Sequence, residues 1–171
     1  ERTRDGLSIV EACQRLEQSG AEVVGMNCSR GPATMLPLLK EIRAAVKCHV
    51  AGLPVPYRTT PKCPTFQSFD DPVCDCIPGE QPFPIALDPF VCNRYEMGNF
   101  ARQASELNIR FVGACCGAAP HHIRSMAEAL GHSPEASRYS PDMSKHWAFG
   151  TDASLKEQNL QYADTLRKTD M

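Results

Sequence analysis

Three cysteines occupy positions where their thiols could bind a metal ion. Cys28 closes the short apolar run GAEVVGMNC, and Cys115 and Cys116 follow a second such run, NIRFVGA. Two adjacent thiols rarely bond to each other, because the small ring strains the peptide between them. Three thiolates at one place would supply three corners of a tetrahedral zinc site and leave the fourth corner open. On spacing alone, thiols that pack in a core or lie on the surface remain the commoner alternative.

The backbone around the cysteine pair must depart from regular strand geometry. Side chains alternate between the two faces of a strand, so Cys115 and Cys116 cannot both reach one ion from extended backbone. Gly113 and Gly117 flank the pair and permit the departure. In parallel α/β folds the loops after the strands meet at one edge of the sheet, where ligands gather. The sequence therefore predicts that Cys28 and the pair converge there.

Alternating apolar runs and amphipathic segments surround these cysteines. Asn93 with Glu96 three residues later is typical of a capping box at a helix start. Pro120 opens a helix in which we expect Ile123 and Met126 to face inward with Ala127 and Leu130. In full, the patterns predict helices at 8–19, 35–46, 93–107, 120–130 and 155–166, and strand-like apolar runs at 20–28, 48–53 and 108–114.

A proline-rich region interrupts this alternation at residues 54–89. Nine of the 14 prolines lie there, a density that neither a helix nor a central strand tolerates. The region is therefore predicted to be a long loop, and loops of this length are usually functional. It contains Cys63, Cys74 and Cys76, which we interpret as exposed loop thiols, with a second metal site or a redox switch as alternatives.

The order of elements predicts an α/β fold with parallel strands and crossover helices. Three strands do not close a barrel, which needs eight. Either the chain is a small open α/β domain, or it is the later part of a barrel. The second hypothesis is favoured because helical periodicity begins almost at the first residue.

Composition narrows the classes of partner. The 171 residues carry 18 basic and 20 acidic side chains, a formal net charge of −2, which offers no electrostatic reason to expect nucleic acid or an anionic membrane. No apolar run approaches the ~20 residues that span a bilayer, and the first residues lack a signal-peptide core. We therefore expect a protein of the cytoplasm, where nine cysteines stay reduced.

Two motifs are similar to those of the homocysteine S-methyltransferase family. They are Gly25-Met26-Asn27-Cys28 and Gly113-Ala114-Cys115-Cys116-Gly117, and between them lies PFPIALDPFVCNRYEMGNFARQASELNIRFVGACCG with its flanking helices. The similarity spans about residues 6–132. In the family these motifs hold the zinc cysteines, so the resemblance implies that Cys28, Cys115 and Cys116 bind Zn²⁺. Ala114 replaces a glycine of the family motif.

The resemblance also implies a fold and a domain organisation. The family fold is an eight-stranded (β/α)8 TIM barrel, and this chain would supply about three β/α units from its C-terminal part. Residues 1–132 would belong to the barrel domain, with the loop at 54–89, and residues 133–171 would form a C-terminal extension. That extension, which contains Trp147, resembles the oligomerisation arm of the betaine-using branch, so we expect a homo-oligomer.

The implied reaction is a methyl transfer to homocysteine. Homocysteine would occupy the open metal position through its thiol, and a cationic methyl donor such as betaine would supply the methyl group, giving methionine. Asn27 and Ala114 are expected to contact the substrate, with a hydrogen bond to the barrel backbone as the alternative role of Asn27. The chain alone is expected to be an incomplete enzyme, since the family's donor-binding residues belong to the first half of the barrel.

Two other functions fit the residues. An inactive half-barrel could act as a scaffold or interaction protein, because its open strand edges need a partner. A thiol redox protein could use Cys115–Cys116. His121 and His122 follow the pair, and we expect them at the rim or on the solvent side of their helix rather than as ligands.

Overall fold

A small parallel sheet with crossover helices forms the centre of residues 2–134. The structure is a computed structural model that describes residues 2–71, 78–147, 150–151 and 155–169. The three strands of the sheet pair side by side in sequence order, with Val23 opposite His49 and Ala51 opposite Phe111. The strands are β1 Val23–Asn27, β2 His49–Leu53 and β3 Phe111–Val112. The helices are α1 Ile9–Gln18, α2 Pro32–Ala45, α3 Arg94–Glu106, α4 Pro120–Ala129 and α5 Glu157–Thr169. The predicted α/β alternation is confirmed.

Local capping explains where two of the helices begin. The Ser8 hydroxyl accepts the Glu11 N–H at 3.1 Å, and the Glu11 carboxylate accepts the Ser8 N–H at 2.7 Å. Asn93 and Glu96 form the same reciprocal pair at the start of α3. Each pair satisfies backbone N–H groups that the helix itself leaves without partners. The capping box predicted at Asn93 is therefore confirmed.

The main core lies between the helices and one face of the sheet. Val24 and Val50 face the helices and are buried, whereas Val23 and Phe111 are more than half exposed. Within the described part of residues 2–134, one face of the sheet is thus covered and the other carries exposed side chains. The fully buried side chains of this core include Met35, Leu39, Ile42, Val50, Met97, Ala101 and Ala104.

The inward face of α4 differs from the sequence prediction. Ile123 is 47% exposed, while His122 and Met126 are buried at 1% and 3%. The prediction for Ile123 was wrong because α4 packs on α3 through small residues: a Cβ at Gly98 would lie 3.1 Å from the Ser125 hydroxyl. That close approach decides which side of α4 is covered, and hydrophobic periodicity alone does not encode it.

The described parts of the proline-rich region fold into a second, aromatic cluster. Val55, Tyr57, Phe66 and Phe69 are its buried members. The Tyr57 ring stacks on Phe66 with centroids 5.5 Å apart and meets Phe69 edge-on at 6.4 Å. Half-buried residues that pack on the cluster include Cys28, Cys63 and Cys115. The loop therefore forms a small core beside the cysteines.

The chain divides into two compact units, Glu1–Pro134 and Glu135–Met171. The first contains the sheet and helices α1–α4. The second contains α5, and in it the Trp147 ring stacks on Tyr162 with centroids 5.7 Å apart. Among the helices of the described residues, none has both the length and the apolar character that crossing a membrane requires.

Candidate metal centre

Cys28 lies immediately after β1 and is held by the neighbouring strand. Its N–H donates to the carbonyl of Leu53, the last residue of β2, at 2.9 Å. Cys28 and Ser29 have φ angles of 68° and 61°, in the left-handed region. Two successive residues of this kind turn the chain sharply at the carboxyl edge of the sheet. This turn places the Cys28 side chain at that edge.

The cysteine pair lies in a turn just past β3. The Cys115 N–H donates to the Pro54 carbonyl at 2.9 Å, and the Cys115 carbonyl accepts the Ala118 N–H at 3.0 Å. Gly117 has a φ of 84°, a conformation that glycine adopts without strain. The backbone thus leaves strand geometry as expected, and the two adjacent sulfur atoms lie 3.7 Å apart.

The three sulfur atoms converge at the carboxyl edge of the sheet. The Sγ atoms of Cys28 and Cys116 are 3.6 Å apart, and all three Sγ atoms lie within 4.8 Å of one another. Zinc–sulfur bonds of about 2.3 Å in a tetrahedron place sulfur atoms about 3.8 Å apart. The donor set and its spacing therefore fit a Zn²⁺ ion. Cys116 is exposed, so the cluster is accessible from solvent.

The thiols polarise one another. Burial favours the neutral form of Cys28, but hydrogen bonds from the Cys115 thiol, the Ser29 N–H and Cys116 outweigh it and hold the Cys28 pKa below 9.0. Burial, together with donation to Cys28, raises the pKa of Cys115 to about 11. Cys28 is therefore the first of these two thiols to ionise.

The two predicted substrate residues adjoin the cluster in sequence but differ in surroundings. Asn27 is exposed at the end of β1, directly before Cys28. Ala114 is half-buried, and its methyl group packs against the main core. Contact of Asn27 and Ala114 with a substrate remains a prediction.

Tyr57 is a residue of this region that sequence reasoning missed. Its ring is 7% exposed, and burial raises its pKa, with the charges of Asp88 and Cys116 adding to the effect. A Cβ on Gly117 would lie 2.3 Å from the Tyr57 hydroxyl, so this hydroxyl rests directly on the turn that carries the cysteine pair. The available signal was its position a few residues after the carboxyl end of β2.

The histidines and the loop cysteines occupy other places. His122 is buried, so the solvent side of α4 was the wrong expectation for it; the metal-type cluster found among the described residues contains neither His121 nor His122. The Cys63 thiol lies 3.5 Å from an Asp70 carboxylate oxygen. Cys74 and Cys76 lie outside the described residues.

A cavity of about 830 Å³ lies between α2 and α3, lined by residues such as Leu36, Lys40, Glu96 and Phe100. Cys28, Cys115 and Cys116 are not among its lining residues. Tyr57 and Thr59 form part of its wall.

Comparison with known proteins identifies the protein family of the chain that has this fold and this cysteine cluster. The family model of homocysteine S-methyltransferase matches residues 1–130, and the chain belongs to that family. The resemblance drawn from the two cysteine motifs is therefore confirmed.

Individual curated proteins of this family are also similar to the chain. The chain is 36% identical over 156 residues to betaine–homocysteine S-methyltransferase 1 of Xenopus tropicalis, covering 88% of this chain and 36% of the relative. It is 37% identical over 154 residues to the Danio rerio protein of the same name, covering 85% and 34%. It is 32% identical over 158 residues to S-methylmethionine–homocysteine S-methyltransferase BHMT2 of Rattus norvegicus, covering 88% and 40%. The chain thus spans a little over a third of the length of these relatives.

Proposed function

We propose that the protein takes part in zinc-dependent transfer of a methyl group to the thiol of homocysteine, giving methionine. The observation that carries the proposal is the convergence of three thiol sulfurs within 4.8 Å at the carboxyl edge of a parallel sheet. Cys28, Cys115 and Cys116 are the proposed ligands. Family membership supplies the reaction class, and the spacing of the sulfurs fits the metal.

The residues of this chain prepare a site for a thiol. Zinc held by three thiolates would keep one position for a substrate thiol and lower its pKa, so that it reacts as a thiolate. Cys28 and Cys115 are fixed by backbone hydrogen bonds to Leu53 and Pro54, which preorganises the ligand set. Asn27 and Ala114 flank the cysteines and are the proposed substrate contacts.

We propose a cationic methyl donor, with betaine as the particular one. The relatives are named for betaine and for S-methylmethionine, and both compounds carry a methyl group on a positively charged atom. A thiolate and a cationic donor lose opposite charges as the methyl group moves, which a site of low polarity favours. The frog and fish relatives named above are betaine enzymes, which supports betaine.

We further propose that residues 1–132 belong to a (β/α)8 barrel and that residues 133–171 form an extension used in a homo-oligomer. The sheet supports the barrel: its strands are parallel, and in the described part of residues 2–134 the helices cover one of its faces, as on the outside of a barrel. Seven cysteines among the described residues are free thiols, which supports a reducing compartment such as the cytoplasm. Among the described residues, no observation favours the scaffold or redox hypotheses.

Metal analysis tests the ligand set. We expect about one Zn²⁺ per purified chain and loss of stoichiometric zinc in Cys28→Ala, Cys115→Ala and Cys116→Ala. Cys48→Ala is the matched control, because Cys48 is also a half-buried free thiol but precedes the opposite end of β2. Full zinc retained by Cys116→Ala would contradict the proposal.

The same variants test the reaction. In a polypeptide that also supplies the first half of the barrel, homocysteine and betaine should give methionine and dimethylglycine. The Cys116→Ala variant of that polypeptide should not form them, and Cys48→Ala should match the unaltered protein. If Cys116→Ala formed methionine equally well, the proposed zinc site would not be required for the reaction. Methionine formed from S-methylmethionine and not from betaine would correct the donor alone.

A further inference from the structure

His122 is a buried polar side chain that the proposed function does not use. It is 1% exposed and lies in the first turn of α4. Its Nδ1 accepts the Ala119 N–H at 3.1 Å, and its Nε2 lies 2.8 Å from the Cys92 carbonyl oxygen. Both ring nitrogens therefore have partners, and the partners belong to two different loops.

These contacts determine the tautomer of His122. The Ala119 backbone can only donate to Nδ1, so Nδ1 carries no proton in the neutral ring. The proton is then on Nε2, which donates to the Cys92 carbonyl. His122 thus connects the loop before α4 to the residue that precedes the start of α3.

The contact with Cys92 leads back to the metal ligands. The Cys92 N–H donates to the Pro56 carbonyl at 2.8 Å, and the Cys115 N–H donates to the Pro54 carbonyl at 2.9 Å. The segment 54–56 is therefore held at one end by a cysteine of the cluster and at the other by Cys92. Together with the two hydrogen bonds of His122, these bonds form a closed ring of contacts, and the turn that carries Cys115 and Cys116 is part of that ring.

The turn needs this support because the sheet gives it little. β3 has only two residues, and its pairing with β2 comprises two register positions, Ala51 with Phe111 and Gly52 with Val112. Beyond them, the Gly113 N–H reaches the Gly52 carbonyl at 3.2 Å. Among the described residues, further contacts to the cysteine turn come from segment 54–56, from Tyr57, from α4 and from the Cys28 thiol.

We propose that His122 is a positioning residue for the metal cluster, holding the turn at Cys115 and Cys116 against segment 54–56 through its bond to Cys92. This inference rests on the proposed function for its effect on zinc. It assigns His122 no direct contact with the metal or the substrate. The bond across the loops, and not the local cap at Ala119, is the part that positions the sulfurs.

Two substitutions of His122 distinguish its hydrogen bond with Ala119 from its hydrogen bond with Cys92. The Asn side-chain oxygen lies as many bonds from the backbone as Nδ1 of histidine, and the Gln side-chain nitrogen as many as Nε2. His122→Asn therefore keeps the acceptor for Ala119 and loses the donor to Cys92. His122→Gln keeps the donor to Cys92, and His122→Phe loses both bonds while filling the site.

Zinc competition against a chromogenic chelator measures the effect. Loss of a group that orients metal ligands typically weakens binding by about 10- to 100-fold. We expect His122→Asn and His122→Phe to weaken zinc binding by about tenfold or more, and His122→Gln to stay within about threefold. A role limited to capping α4 predicts the reverse order for Asn and Gln, and that order would overturn the inference.

Amide hydrogen exchange of the metal-free protein tests the inference independently of the proposed function. The Cys92 and Cys115 amides should exchange faster in His122→Asn than in His122→Gln, since only the first variant opens the ring of bonds. Equal exchange in both variants would overturn the positioning role. Faster exchange in a protein that binds no zinc would keep the positioning role and refute the zinc proposal alone.

Discussion

The cysteine cluster derives its geometry from two backbone turns. Cys28 and Ser29 adopt left-handed conformations after β1, and Gly117 does so after the cysteine pair. Without these turns, the alternation of side chains along a strand would direct Cys115 and Cys116 to opposite faces. Cys28 and Ser29 pay some backbone strain to reach this arrangement, whereas Gly117 reaches it without a side chain to obstruct it.

Gly117→Ala should damage the site more than its backbone conformation alone requires. An alanine at a positive φ costs about 1–2 kcal/mol. At Gly117 the new Cβ would also lie 2.3 Å from the Tyr57 hydroxyl. We expect a larger loss of unfolding free energy and weaker zinc binding, measured by urea denaturation and by chelator competition.

Gly131→Ala is the matched control for this substitution. Gly131 has a φ of 82°, close to the 84° of Gly117, but no heavy atom lies within 4 Å of its added Cβ. Its variant should therefore show the backbone cost alone and unchanged zinc affinity. Tyr57→Phe combined with Gly117→Ala should recover part of the difference. Equal effects of Gly117→Ala and Gly131→Ala would show that Tyr57 does not press on the turn.

At the scale of the elements, the packing of α4 on α3 decides which residues support the site. His122 and Met126 lie one helical turn apart on the buried side, whereas Ile123 is nearly half exposed. Gly98 of α3 permits the close approach. This orientation brings His122 into contact with Cys92, so the same packing that buries Met126 also connects the two loops.

Alanine substitutions in α4 should reveal this orientation. Met126→Ala removes a 3%-exposed side chain from the main core and should cost about 2–5 kcal/mol of unfolding free energy. Ile123→Ala, on the same helix, should change it by no more than about 0.5 kcal/mol. Urea denaturation of both variants measures the difference. If Ile123→Ala and Met126→Ala lowered the unfolding free energy equally, Ile123 would belong to the buried face of α4, as the sequence pattern predicts.

At the scale of the whole molecule, the proposed metal links distant parts of the first unit. Cys28 and Cys116 are 88 positions apart in the sequence, yet their sulfurs lie 3.6 Å apart. A ligand that binds the folded chain and not the unfolded one stabilises it in proportion to the logarithm of its concentration over its dissociation constant. Zinc is therefore expected to stabilise the first unit, Glu1–Pro134, which contains the sheet and all three proposed ligands.

Thermal unfolding should show this coupling. At a free zinc concentration about 100 times the dissociation constant, the gain is about 2.7 kcal/mol, which for a chain of this size raises Tm by several degrees. Cys116→Ala should show no zinc-dependent rise, and Cys48→Ala should rise like the unaltered protein. A rise that persists in Cys116→Ala would indicate that zinc stabilises the protein somewhere else.

Several features followed from local sequence. The helix starts at Ser8 and Asn93, the stripe of buried residues in α2 and the departure from strand geometry at the cysteine pair depend on residues within a few positions of one another. Hydrophobic periodicity and capping are short-range effects, so the sequence alone could predict them. The third strand is shorter than its apolar run, because only Phe111 and Val112 pair with β2.

The tertiary structure alone decided how the supporting residues meet. Tyr57 on Gly117, His122 on Cys92 and the exposure of Ile123 all involve segments joined through the proline-rich loop or across two helices. The sequence determined the cysteine motifs and the elements that present them, since those depend on neighbouring residues. Which distant groups stabilise the cysteine turn depends instead on how helices and loops pack, and packing is a property of the whole fold.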